Sequence, residues 1–326
     1  MKKICICSVY MGKLPNTIDF WINSIRNNSS IDFVLFTDES AKNIRGGGAN
    51  NLKIVYMTLD NIRERIQQLF DFPIVLDAPY KLCDYKPVYG NAFKDYFEGY
   101  DFWGYADLDL VFGDLRYFLT EDILNKYDKI YNQGHLSLYR NCKSMNDLYL
   151  RVLPQGKAFD YRFVFRTKHP CFFDEHCGIE RIIKYDKEKM YIWPMGIQKG
   201  VLADIPPFTY DFTFCYDNKK LDDIFFEYDK GKLYLCSGTN RIPTVYAHFA
   251  KRKFSICTDD VNHFKIFPNQ YANYTDKYPA ISFEEKKKYE KWFSGNFRKM
   301  KVKRAFRLGI IKYLEKVIRK RKFLPL

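Results

Sequence analysis

The sequence predicts an α/β fold built on a mainly parallel sheet. Three observations carry that expectation. Apolar runs of strand length recur at Ile4–Tyr10, Ile31–Thr37 and Leu52–Thr58, and segments of helical spacing follow the first and the third. Hydrophobic residues make up 47% of the 326, with 29 Phe and 26 Tyr, enough for a sizeable core. No stretch of about 18 apolar residues occurs, so no membrane-spanning helix is expected.

Taken in order, Met1-Lys2-Lys3 before Ile4–Met11 looks at first like a leader. Its apolar run is short, however, and Lys13, Pro15 and Asn16 interrupt it, so a first buried strand is expected instead. Gly12 and Pro15 break the following loop. Ile18, Trp21, Ile22 and Ile25 give Thr17–Asn27 one apolar helical face. Gly46–Asn51 reads as a loop, and Asp60 as the N-cap of a helix over Asn61–Phe70. After Pro87 the segment Tyr85–Tyr96 is expected to be helical, leading into a strand at Phe102–Tyr105. Further strands are expected near Phe212–Phe214, Ile224–Tyr228, Leu233–Leu235 and Thr244–Phe249, with Asp229-Lys230-Gly231 as a hairpin turn.

The net charge of +14 is not spread evenly. Residues 284–326 hold 16 Lys or Arg against 4 Asp or Glu, so they carry +12 and leave +2 for residues 1–283. That location removes the case for a nucleic-acid-binding body, and no nucleic-acid partner is expected. In Met300–Phe323 apolar Val302, Phe306, Ile310, Tyr313 and Val317 alternate with basic residues, which reads as a basic amphipathic helical tail. Two units follow: a body at 1–283 and a tail at 284–326. The tail suits an anionic membrane surface; packing on its own body is the plainer alternative. Nine cysteines without a repeated spacing suit a reducing cytoplasm. His169, Cys171, His176 and Cys177 crowd one short loop, a spacing that disfavours a structural zinc site.

The chemistry-bearing feature is Asp107-Leu108-Asp109, which runs directly out of a predicted strand. Open α/β sheets bind ligands beyond the carboxyl ends of their strands, and two carboxylates there are costly without a partner. A hard divalent cation, Mn²⁺ or Mg²⁺, satisfies them and can in turn bridge a diphosphate. An ordinary loop with two solvated acids is the plainer reading.

The stretch Gly104–Asp114 resembles the metal motif of GT-A glycosyltransferases, closest to bacterial polysaccharide-biosynthesis enzymes and more distantly similar to the glycogenin and lipopolysaccharide galactosyltransferase group. Three other segments resemble that family in order: Tyr80–Lys86, Asn132–Leu138 and His248–Arg252. The last lacks the glycine and the Lys-Pro-Trp ending of the glycogenin-like group. The resemblance implies a GT-A, Rossmann-like fold with a mixed sheet over residues 1–283. It implies metal ligands at Asp107, Asp109 and His248. It also implies contacts to a nucleoside-diphosphate sugar from Asp84, Lys86, Asn132, Gly134 and Lys251. Tyr10 and Gly12, after the first strand, either meet the nucleotide base or form a simple turn. Asp174 and Glu175, after Phe172-Phe173, resemble the acidic segment near the reacting carbon: a general base in an inverting enzyme, a charge stabiliser in a retaining one, or else a helix cap.

The expected activity is therefore metal-dependent transfer of a sugar from a nucleoside-diphosphate sugar, UDP-linked by the resemblance, to a lipid-linked or cell-surface glycan at the cytoplasmic face of the membrane. A nucleotidyltransferase of the same fold class is the rival enzyme. It would normally show a Gly-rich basic loop after the first strand, where only Gly12 and Lys13 stand. A non-catalytic basic adaptor for membranes or nucleic acid is the rival outside enzymes.

Overall fold

A computed structural model describes residues 1–40, 48–154, 157–186, 189–191, 201–205, 209–212, 215–216, 219–250 and 252–308. It is a mixed α/β structure in which two sheets share one seam. The strands are β1 Ile4–Tyr10, β2 Asp32–Thr37, β3 Leu52–Tyr56, β4 Phe102–Ala106, β5 Leu110–Phe112, β6 Lys129–Gln133, β7 Leu136–Arg140, β8 Met190–Tyr191 and β9 Val201–Asp204, followed by a small ribbon, β10 Cys215–Tyr216 and β11 Lys219–Lys220. Next come β12 Phe225–Asp229, β13 Lys232–Ser237, β14 Asn240–His248, β15 Ser255–Ile256, β16 His263–Phe267 and β17 Gln270–Asn273.

The first sheet runs β3-β2-β1-β4-β7-β6-β8. Its four leading strands are parallel, whereas β7 lies antiparallel to β4 and to β6. The expectation of a mainly parallel sheet is thus met only for the N-terminal half. The reason is local: Gly134 and His135 turn β6 directly into β7, and a two-residue connection can only join antiparallel strands. Ile4 and Ile6 of β1 enter one core while Cys5 and Cys7 enter the other, so both faces of the strand are covered. Phe33 and Leu35 alternate with Val34 and Phe36 in the same way on β2.

Helix α1, Ile18–Arg26, lies between the sheets. Ile18, Trp21, Ile22 and Ile25 pack on the first sheet. Phe20 points the other way, with its ring 4.8 Å from Phe264 and 4.5 Å from Tyr271 of the second sheet. Helix α2, Leu59–Gln67, is capped two residues earlier than expected: Thr58, not Asp60, accepts from the Asn61 N–H, and the Asn61 side chain accepts from the Thr58 N–H in a capping box. Tyr85–Tyr96 is not one helix. It is a chain of single turns, Leu82–Tyr85, Lys86–Val88, Tyr89–Ala92 and Lys94–Tyr96, because Pro87 withholds a backbone donor and Gly90 lies against the Trp103 ring.

The second sheet runs β15-β17-β16-β12-β13-β14-β5, with β9 parallel to β14. Asp229–Lys232 closes the β12–β13 hairpin as expected, with Lys230 and Gly231 at positive φ. The seam is the short crossing from Ala106 to Leu110. There the chain leaves the first sheet and enters the second, where β5 pairs antiparallel with β14 (Phe112 opposite Tyr246, Leu110 opposite His248). A helix covers Phe283–Leu308, beginning well before the expected Met300. Residues 309–326, the rest of the predicted tail, lie outside the described residues, as do Thr213 and Phe214. No helix among the described residues is long and apolar enough to cross a membrane.

At Gly113 the backbone donates to Val245 O at 2.8 Å, and a Cβ there would strike Thr244 O. Gly113→Ala should therefore lower stability by about 1–3 kcal/mol, the usual range for overpacking. A denaturant-unfolding midpoint equal to that of the unaltered chain would contradict the close approach of β5 to β14.

Candidate metal and diphosphate site

Three strand ends meet at the seam: β1 ending in Tyr10, β4 leading into Asp107, and β14 ending in His248. The register of β5 on β14 sets His248 beside Asp109, with Nε2 3.4 Å from Oδ1. Phe249 N donates to Asp109 O at 3.0 Å, and Asp107 N donates to His135 O at 3.0 Å, so both aspartates are held by backbone as well. One ligand atom each from Asp107, Asp109 and His248 fall within 4.8 Å of one another. Two hard carboxylate oxygens and one imidazole nitrogen are a donor set that suits a divalent cation such as Mn²⁺.

Lys86 reaches into the same space. Its ammonium donates to Asp107 Oδ1 at 2.6 Å and to Gly134 O at 2.7 Å, and lies 3.8 Å from Asp174 Oδ2. Burial works against its charge, but Asp107 and Asp174 outweigh that and hold the ammonium well above the ordinary lysine range. Burial likewise opposes charge on His248, yet hydrogen bonds with Asp109 and Asp204 lift it from 6.5 to about 10. Asp109 is correspondingly held below the usual carboxylate range: burial pushes it up, and His248 more than offsets this. Asp107 is paired with Lys86, and Asp109 and Asp204 with His248, so three carboxylates meet two cations there. The excess negative charge is what a divalent cation would balance.

The acidic segment enters from below. Gly134 N donates to Glu175 Oε1 at 3.0 Å, and a Cβ on Gly134 would lie 2.5 Å from that oxygen and 2.6 Å from Asp174 Oδ2. Burial pushes Asp174 well above the carboxylate range, Lys86 pulls it back, and Glu175, Asp84 and Asp107 push it up again. Asp174 is almost fully buried, whereas Glu175 is more open to solvent and so is the better placed of the two to meet an acceptor. Phe172, two residues before Asp174, and Tyr131 in β6 are non-glycine residues at positive φ (57° and 63°), a form of strain often kept at functional sites.

The other expected residues divide. The Tyr10 phenol, at the end of β1, is raised by burial and by the charge of Asp109. Gly12, at positive φ, donates its N–H to Asp38 Oδ1 at 2.6 Å. Asp84 is not brought to the opening. It is fully buried, and its oxygens accept from Cys171 N, Phe173 N and Lys81 Nζ, so it braces the acidic segment from behind. Asn132 sits in the irregular part of β6, half-buried. Lys251 lies outside the described residues, and its neighbour Arg252 is tied to the carbonyls of Thr209, Tyr210 and Pro268. His169, Cys171, His176 and Cys177 form no metal-ligating group among the described residues. Two site residues had no expected role. His135 stacks on His248, and Asp204 bonds it; the acid inside Val201–Ile205 is the one sequence signal that could have flagged the latter.

The "Family of unknown function (DUF6625)" matches residues 6–275. The chain belongs to this family. Within DUF6625 the match therefore spans the whole seam, from β1 to β17. No curated protein matches the chain. Among solved structures, it is similar to the galactosyltransferase LgtC in complex with donor and acceptor sugar analogues (TM-score 0.27, 12% identity, 42% of this chain and 58% of that one). It is similar also to the apo form of the glycosyltransferase GlyE of Streptococcus pneumoniae TIGR4 (0.33, 12%, 58% and 45%) and to mouse xyloside xylosyltransferase 1 (0.32, 8%, 59% and 84%). The chain thus spans about half the length of the first two kinds of protein. Overlaps this partial assign neither fold family nor activity to the DUF6625 chain, so a functional reading has to stand on the site.

Without metal, His248 should act as an imidazolium between two aspartates. In the unfolded chain a histidine titrates near 6.5, so this contribution is complete below about pH 6.5 and is lost as pH rises toward about 10. The thermal midpoint of chelator-treated protein should accordingly fall more steeply over that window than that of His248→Gln. Parallel slopes for the two proteins would refute the charged pair.

Proposed function

We propose that the chain is a metal-dependent glycosyltransferase that moves a sugar from a nucleoside-diphosphate sugar, a UDP-sugar by the sequence resemblance, to a glycan acceptor. The observation that carries this reading is the convergence of Asp107, Asp109 and His248 at one seam of strand ends, with Lys86 bonded to the same Asp107. A divalent cation held there would neutralise charge on a departing nucleoside diphosphate.

The chain's own residues supply the rest. Lys86 is a fixed ammonium within reach of both Asp107 and the Asp174 side, placed to meet diphosphate oxygens. Tyr10, at the end of β1, would meet the nucleotide base, and Gly134 lets Glu175 and Lys86 approach its backbone closely. Glu175 either takes the acceptor proton or faces the positive charge that develops on the sugar ring, according to the stereochemistry of transfer. Acceptors linked to lipid or to the cell surface fit the concentration of basic residues in 284–326, which would draw the enzyme to the anionic inner face of a membrane at about 1 kcal/mol per basic residue.

A panel of nucleotide-sugars incubated with Mn²⁺ should yield free nucleoside diphosphate, and Asp107→Ala and Asp109→Ala should each lower that rate by on the order of 100-fold or more. Pyrophosphate in place of nucleoside diphosphate would point to the nucleotidyltransferase rival. No turnover, and no thermal stabilisation by any nucleotide with Mn²⁺, would count against both enzymes.

A further inference from the structure

We propose that Asp204 and His135 form a clamp on His248 that presents its Nε2, and not its Nδ1, to a cation held by Asp107 and Asp109. The inference rests on the metal reading above and deepens it. A histidine ligand can bind through either ring nitrogen, and the hydrogen bond made by the other nitrogen decides which one is free. Here the two nitrogens of His248 face opposite carboxylates. Nε2 lies 3.4 Å from Asp109 Oδ1, whereas Nδ1 lies 2.7 Å from Asp204 Oδ1.

The contact with Asp204 is built into the sheet. β9 runs parallel to β14 with Asp204 directly opposite His248, and Ile205 N donates to His248 O at 2.9 Å. No rotation of a flexible loop is needed to bring the carboxylate to the ring. Asp204 accepts the Nδ1 proton there, which leaves Nε2 for the cation.

His135 supplies the wall. Its ring lies 4.0 Å from that of His248 with an interplanar angle of 15°, and Tyr246 meets the His135 ring edge-on at 5.2 Å. Stacking of this kind stops the His248 ring from turning out of the plane that contains Asp109. His135 is only 4% exposed, and neither of its nitrogens has a hydrogen-bond partner. Nε2 is 3.9 Å from Asp204 Oδ2, so a closure of roughly 0.7 Å would make a hydrogen bond to the second oxygen of the same carboxylate. Asp204 is then the common acceptor for both rings.

His135, Asp204 and His248 also lie close enough to suggest a second ion site. The stack argues against it. An imidazole nitrogen binds a metal in the plane of its ring, and two nearly parallel rings 4.0 Å apart cannot both do so to one ion. Asp204 and His135 are therefore positioning residues for a single centre.

Mn²⁺ binding followed by electron paramagnetic resonance of the free ion tests this without reference to turnover. Asp204→Ala should weaken binding about 10- to 100-fold, the usual range for the partner of a ligating histidine. Asp204→Glu should recover much of that loss, and Asp204→Asn, which keeps the shape, should fall between. His135→Phe keeps the ring wall and should bind nearly as the unaltered chain does. Proton–nitrogen spectra of the Zn²⁺-loaded protein should show His248 protonated at Nδ1, a signature that a merely structural role would not move. The clamp is overturned if Asp204→Ala binds Mn²⁺ normally while Asp109→Ala does not, or if His248 carries its proton at Nε2. A chain that binds no Mn²⁺, with Asp109→Ala behaving identically, would instead sink the metal reading itself. His135→Phe as damaging as Asp204→Ala would make His135 a ligand and not a wall.

Discussion

The pairing of β5 with β14 is the constraint on which the site depends. Leaving Ala106, the chain has three residues in which to pass from one sheet to the other, and its arrival is fixed by the bonds that set Leu110 opposite His248. Asp107 and Asp109 are those crossing residues. They cannot drift from the histidine without breaking either the end of β4 or the start of β5. The glycine at 113 and the buried Asn28 side chain, which donates to Gly113 O at 2.9 Å and accepts from Leu115 N at 2.8 Å, lock the far end of the crossing to α1. Packing on both faces of α1 makes the two sheets one body.

Holding so many carboxylates in a partly buried seam carries an electrostatic cost, and the fold meets it in two layers. At the back, Lys81 and Asp84 form an almost fully buried pair whose remaining valences go to backbone: Lys81 to Val164 O and His169 O, Asp84 to the N–H groups of Cys171 and Phe173. Buried ion pairs contribute little net stability unless every lone pair and proton is used. Here they are used, and the gain is geometric: the loop bearing Asp174 and Glu175 is fixed from behind. At the front, Lys86 and His248 meet three carboxylates, Asp107, Asp109 and Asp204, and the seam keeps an excess of negative charge.

The parts of this arrangement that could be read from the chain are those encoded locally. Apolar runs of strand length gave away β1, β2 and β3 within a residue or two, and the strand expected at Phe102–Tyr105 leads straight into the two aspartates of the crossing. Thr58 was overlooked as a cap because Asp60 is as good a cap by type, and only the Asn61 side chain, folding back, decides between them. Asp204 was illegible for a different reason. Its partner stands 44 residues away, and the contact exists only because β9 joins β14 in one register. Asp84 and Lys86 look alike in sequence, two polar residues in one short segment. They part company because the turns between Leu82 and Val88 send one inward and the other to the seam.

Gly134 is bare for a reason that lies within the chain itself. In the family resemblance that glycine belongs to a strand lining the sugar. In this chain its bareness is required first by protein atoms: Glu175 Oε1 and Asp174 Oδ2 occupy the volume that a Cβ would need, and the Gly134 N–H and C=O bind Glu175 and Lys86 respectively. The backbone of one residue thus connects the acid that would act on the acceptor to the lysine that would face the diphosphate. Any side chain at 134 would separate them. The two halves of the proposed reaction, departure of the diphosphate and arrival of the acceptor, would be linked through the backbone of that one residue. The spacing between Lys86 and Glu175 is then a property of the β6–β7 turn and does not depend on a bound sugar.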